Sequence, residues 1–163
     1  MAIDFSQVKT ITIPEGSVKK ITDSNGNILW QGSGWHTVWE GNQKIGYGGW
    51  TGSEYLFATE HYSNALKIRV SFSSLYAWMN SGDDGSYTYI PSDQKSPVTY
   101  KSFSSNQTTL VESSVWNSSR NARYSAYLYY DKNNGKIYGN TSENNAGGYA
   151  RAYIVITKIE VYS

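Results

Sequence analysis

Leu66-Lys67-Ile68-Arg69-Val70-Ser71-Phe72 alternates strictly between apolar and polar side chains. Leu66, Ile68, Val70 and Phe72 point one way, and Lys67, Arg69 and Ser71 the other. A period of two is the mark of a strand buried on one face and wet on the other, as in an antiparallel sheet. Further strands are predicted over 35–40, 54–59, 87–90, 98–103, 108–116, 123–130, 136–138 and 150–162. The last is apolar on both faces near Tyr153 to Ile156, which predicts a central position. Between them lie Gly-, Asn- and Ser-rich turns: 46–52 (GYGGWTG), 80–85 (NSGDDG), 131–135 (DKNNG) and the polar loop 139–148. No stretch reads as a helix. Short strands at near-regular spacing predict an all-β antiparallel domain, a β-sandwich or jelly roll.

The first thirty-one residues read as a unit of their own. Val8 opens a β-branched run to Ile13, and Pro14-Glu15-Gly16-Ser17 turns the chain. A second strand covers 18–22, Asn25-Gly26 supplies a hairpin turn, and a third covers 27–31. Three strands this short bury too little apolar surface to stand alone. Val8, Ile11, Ile13, Val18, Ile21, Ile28 and Trp30 are therefore candidates for an anchoring or oligomer interface. Gly32-Ser33-Gly34 is a flexible joint. The expected organisation is a small β module over 1–31, a joint over 32–34 and the sandwich over 35–163.

Composition narrows the function. The chain has 163 residues, 17% of them charged, with a formal net charge of +1, so no bulk field favours nucleic acid or an anionic membrane. Aromatic residues make up 15%, with fifteen Tyr and six Trp, which is the profile of an extracellular or particle-surface β domain. Cysteine is absent, which removes disulfides, thiolate metal sites and a Cys nucleophile. No apolar run reaches the length of a membrane span, and Met1-Ala2-Ile3-Asp4-Phe5 lacks the basic and apolar regions of a signal peptide. Synthesis and assembly in a reducing cytoplasm is the expectation.

The stretch ITIPEGSVKKITDSNGNILWQ, residues 11–31, resembles short modules of minor structural and tail or fibre proteins from bacteriophages and prophages of Gram-positive hosts. The closing Ile156-Thr157-Lys158-Ile159-Glu160-Val161-Tyr162 is similar to the ends of such proteins, as is Trp35-His36-Thr37-Val38-Trp39-Glu40-Gly41 to their second parts. The resemblance covers about a quarter of the chain. It implies a virion component, other virion proteins as partners, and a homo-oligomer, a trimer by preference. The middle of the chain, 42–148, resembles no such module.

Two aromatic groups stand out: Trp35, Trp39, Tyr47, Trp50 and Tyr55 around the Gly-rich loop, and Tyr76, Trp78, Tyr87 and Tyr89 around NSGDDG. Exposed Tyr and Trp rings stack on the apolar faces of sugars or fill protein interfaces; otherwise they fill the core. Trp50, Trp78, Tyr47, Tyr76, Asp83 and Asp84 are the candidate glycan-binding residues, with the carboxylates bonding hydroxyls. Asp83-Asp84 also has the composition of an ordinary turn, and no calcium-loop spacing surrounds it. His36 and His61 have no partner at metal spacing, and no nucleophile elbow, P-loop or H-E-x-x-H is present. No cofactor is implied. The expected function is a non-enzymatic virion protein that binds host-surface carbohydrate. The alternatives are a capsid decoration or assembly protein without a soluble ligand, and a small carbohydrate-active enzyme using two of Glu40, Glu54, Glu60 and Glu112.

Overall fold

The computed structural model describes residues 11–13, 16–18, 20–23, 28–32, 34–46, 54–58, 62, 65–80, 87–90, 92, 94–101, 103, 105–145 and 149–162, with only the backbone at 11–13, 16–18, 28–31, 87 and 90. The described residues form antiparallel strands and one short 3-10 turn. Two sheets make the sandwich. One has the order β5-β13-β7-β8, built from β5 (Trp35–Ile45), β7 (Lys67–Asn80), β8 (Tyr87–Ile90) and β13 (Ala150–Tyr162), with β9 (Val98–Tyr100) also pairing with β7. The other has the order β10-β11-β12-β6, from β6 (Tyr55–Leu56), β10 (Gln107–Asn117), β11 (Ala122–Asp131) and β12 (Lys136–Asn144). β10 and β11 pack across β7 and β13.

The alternation that opened the sequence reading holds within β7: Ile68 and Val70 are fully buried and Phe72 packs against the core, while Lys67, Arg69 and Ser71 are not buried; Leu66, expected on the same buried face, precedes the strand and is exposed. The strand runs on through a bulge near Ser73, after which Leu75, Ala77 and Met79 continue the core face. β13 lies centrally between β5 and β7, as its apolar character predicts. Ile154, Ile156, Ile159 and Val161 face Leu110, Val111, Tyr124, Leu128 and Ile137 of the opposing sheet in one continuous core. Tyr130 reaches through this core, and its hydroxyl donates to Tyr62 O at 2.8 Å. That satisfies a buried polar group which would otherwise cost stability.

Two expectations are corrected. The residues around 18–22 are not one strand. β1 (Ile11–Ile13) pairs with β2 (Gly16–Val18), and β3 (Lys20–Thr22) pairs with β4 (Ile28–Gln31), so the expected second strand is divided between two partners. Ile11 pairs with Val18 and Ile21 with Trp30 in these two ribbons. Val8 lies outside the described residues. The expected loop 139–148 is strand as far as Asn144, because its polar residues lie in register with β11, Asn140 opposite Tyr127 and Ser142 opposite Ser125. Pairing with a long neighbour overrides weak strand propensity. Ser118–Arg120 forms the 3-10 turn, closed by Asn121 in the left-handed region at φ 47°, and no longer helix occurs among the described residues.

Candidate functional site: a ring column on the outer sheet face

Past the bulge, the outward residues of β7 are Tyr76, Trp78 and Asn80. In register, Tyr76 faces Tyr153 on β13, while Trp78 faces Arg151 on β13 and Tyr89 on β8. Cross-strand neighbours on one face stand close enough for rings to touch. Tyr76 stacks on Tyr89 at 4.5 Å and on Tyr153 at 5.4 Å between centroids. Lys44 Nζ from β5 lies over Tyr153 at 4.2 Å. The result is a column across four strands, Lys44–Tyr153–Tyr76–Tyr89. An ammonium caps one end. The other end is Tyr89 on the short strand β8, and 48% of that residue is exposed.

Trp78 meets Tyr76 and Tyr153 edge-on, at 4.6 and 6.2 Å. At 8% exposure it supports the column rather than presenting a face. The sequence placed Trp78 beside a loop; its place inside β7, braced by Arg151, accounts for its burial. Of the candidate glycan residues, the structure brings Tyr76 and Trp78 together. Tyr47, Trp50, Asp83 and Asp84 lie outside the described residues. The first aromatic group does not form one patch. Trp39 turns into the core against Phe57, whereas Trp35 lies on the outer face against Tyr162.

Farther along the same face Arg69 Nε donates to Glu160 Oε2 at 2.7 Å, and Lys158 Nζ stands 3.1 Å from the other carboxylate oxygen. The Arg69 hydrogen bond is the main reason that the Glu160 carboxyl is held below the usual range. Arg69 also covers Trp35, at 4.2 Å.

The outer face of the four-stranded sheet carries a second tyrosine group that sequence reasoning missed. Tyr129 stacks on Tyr138 at 5.3 Å, with Tyr127 beside it at 6.0 Å. The Tyr129 hydroxyl donates to Glu54, and Asn140 Nδ2 reaches the same carboxylate oxygen at 3.4 Å. Burial, followed by Glu54, drives the Tyr129 hydroxyl far above the ordinary tyrosine range. Tyr127 is raised by burial and then by the charges of Glu54 and Glu112. The available signal was the turn 131–135, which puts Tyr129 opposite Tyr138 once the hairpin register is counted out.

Among the described residues no group of three or more His, Cys, Asp or Glu side chains could hold a metal ion. His36 Nε2 donates to Gly32 O at 2.7 Å, and His61 lies outside the described residues. No protein-family model matches the chain, and neither a curated protein nor a solved structure matches it.

Proposed function

We propose that this chain is a non-enzymatic structural protein of a phage-like particle, a fibre or appendage component, whose sandwich binds host-surface carbohydrate. The observation that supports carbohydrate binding is the ring column, closed at one end by Lys44 and open at Tyr89. A half-exposed ring backed by two stacked rings is a rigid platform, so a sugar landing on it costs little side-chain entropy. Contact at one site is weak, and repetition over several copies in a particle supplies the avidity. Residues 1–31 serve as the anchoring or oligomerising segment, by the resemblance of 11–31 to phage modules. Other virion proteins and sister copies, three in the favoured arrangement, are its partners.

A glycan array probed with the full chain tests this reading. Tyr89→Ala is expected to weaken captured glycans five- to thirtyfold, the equivalent of roughly 1–2 kcal/mol. Absence of any bound glycan, or a Tyr89→Ala variant that binds like the parent, would refute it.

A second reading rests on Glu54 and Glu112, whose charges both act on Tyr127. Two carboxylates on one sheet face are the minimum for glycoside hydrolysis. Release of reducing ends from an array-positive glycan, lost in Glu54→Gln and Glu112→Gln, would favour that enzyme over a binding module.

A further inference from the structure

The outer face of the four-stranded sheet carries a row of small side chains between two rows of large ones. Ser114 of β10, Ser125 of β11 and Ser142 of β12 are direct cross-strand neighbours. Two residues along the strands in one direction, Trp116 faces Arg123; two residues in the other direction, Glu112 faces Tyr127. These positions share the outward parity, because Val115, Tyr124, Ala126 and Leu128 between them enter the core. The flanking rows, four residues apart on each strand, stand about 13 Å from each other. A serine is far shorter than any of the flanking side chains, so the serine row is the floor of a trough that runs across the strands. β10 is an edge strand, and β6 pairs with β12 only at Tyr138 and Gly139. Among the described residues, no strand closes the trough at either end.

Two observations point to a ligand there. Ser125 is 6% exposed, yet its hydroxyl makes no hydrogen bond with the described residues. A serine hydroxyl donates once and accepts twice, and a nearly buried one left unpaired costs stability. The atom is not sealed off, so it opens onto the trough. Trp116, at 63%, is the most exposed large apolar side chain among the described residues, and none of their rings or cations covers it. An indole left bare in water gains by covering its face.

We propose that this trough is a saccharide site separate from the ring column, on the opposite outer face of the sandwich, and that it takes a neutral sugar chain lying across the strands. Trp116 supplies the stacking ring, and the serine floor bonds sugar hydroxyls, which donate and accept as serine does. The two flanking charges, Arg123 and Glu112, are of opposite sign, and neither makes an ion pair with a described residue. An acidic polymer attracted by Arg123 is repelled by Glu112, so the pair favours uncharged ligands. A protein partner fits less well, because interface cores are depleted of charge and here both flanking rows carry one.

The full chain is titrated by calorimetry with cellohexaose, maltoheptaose, mannohexaose and N-acetylchitohexaose, and with polygalacturonate and single-stranded DNA, each in low and in physiological salt. The proteins are the parent, Trp116→Ala, Ser125→Ala and Tyr89→Ala. At least one neutral oligosaccharide is expected to bind Tyr89→Ala, with little response to salt. Trp116→Ala should weaken that oligosaccharide about tenfold, and Ser125→Ala about three- to tenfold. Ser125→Ala breaks no side-chain bond within the described residues, so its thermal midpoint should match the parent's. A lower midpoint would assign the hydroxyl to the fold and overturn its role in binding. Neutral binding that is lost in Tyr89→Ala and unchanged in Trp116→Ala and Ser125→Ala would overturn this site and leave the ring column standing. Binding lost in Trp116→Ala and unchanged in Tyr89→Ala would support this site and overturn the column. Binding of no oligosaccharide would overturn both. Polygalacturonate or DNA bound more tightly than every neutral chain would overturn the assignment to neutral saccharides.

Discussion

Gly139 sits on β12 where the strand passes over the core, and it is there because nothing larger fits. A Cβ at this position would lie 2.0 Å from Ile45 Cδ1, 2.9 Å from Ile45 Cγ1 and 2.9 Å from Phe57 Cε2. Carbon atoms in good contact stand about 3.5–4.0 Å apart. Ile45 and Phe57 are both buried, so neither moves freely into water. Overpacking of this kind costs about 1–3 kcal/mol. Restricting the unfolded chain returns about 0.4–1 kcal/mol for Gly→Ala. The expected net loss for Gly139→Ala is therefore about 1–2 kcal/mol. Ile45→Val removes the atom nearest the new methyl and by itself costs about 0.5–1.5 kcal/mol. In that background Gly139→Ala should cost at least ~0.5 kcal/mol less than in the parent, a coupling of the size expected for touching residues. Urea denaturation of the four proteins, compared at constant m value, measures it. If the two changes add to within ~0.3 kcal/mol, the contact between β5 and β12 across the sandwich is not what makes glycine necessary at 139.

Glu160 has a depressed folded pKa, so its contribution is complete above the ordinary glutamate range and fades as pH falls through the lower folded value; Glu160→Gln should cost about 1 kcal/mol at pH 7, and stability curves should show the gap closing below about pH 4. Tyr129 is raised in the folded state, so its contribution is complete below about pH 10 and fades above it; Glu54→Gln should lower the ionisation midpoint of the most resistant tyrosine in an ultraviolet titration, and an unchanged midpoint would remove Glu54 as a cause. Light scattering coupled to size exclusion should find the full chain in a discrete oligomer and a version starting at Gly34 as a folded monomer; two monomers of equal thermal stability would remove the assembly role proposed for residues 1–31.

Much of the fold was legible because sheet structure leaves a local trace. The period of two identified both the strand and its buried face over 67–72, and the core of β7 follows it there, whereas Leu66 before the strand is exposed. The apolar run at 150–162 announced a central strand, and β13 is one, because a central strand's core side chains contact neighbours across the sandwich over its whole length. β-Branched runs and Gly/Asn turns likewise gave the approximate positions of β10 and β11. What failed locally was the extent of β12. Its residues 140–144 have loop composition, and their conformation comes from hydrogen bonding to β11.

The site was legible only as a list of rings. Tyr76 and Trp78 are named by sequence, but the sequence does not contain the bulge near Ser73 as a readable signal. That bulge decides which parity of β7 faces outward beyond it, and so whether Tyr76 and Trp78 enter the core or the solvent face. Tyr89, Tyr153 and Lys44 join them from three other strands, and partners that distant in sequence are chosen by register and strand order alone. Residue type and alternation are properties of the chain; which face a ring shares, and with whom, is a property of the sheet.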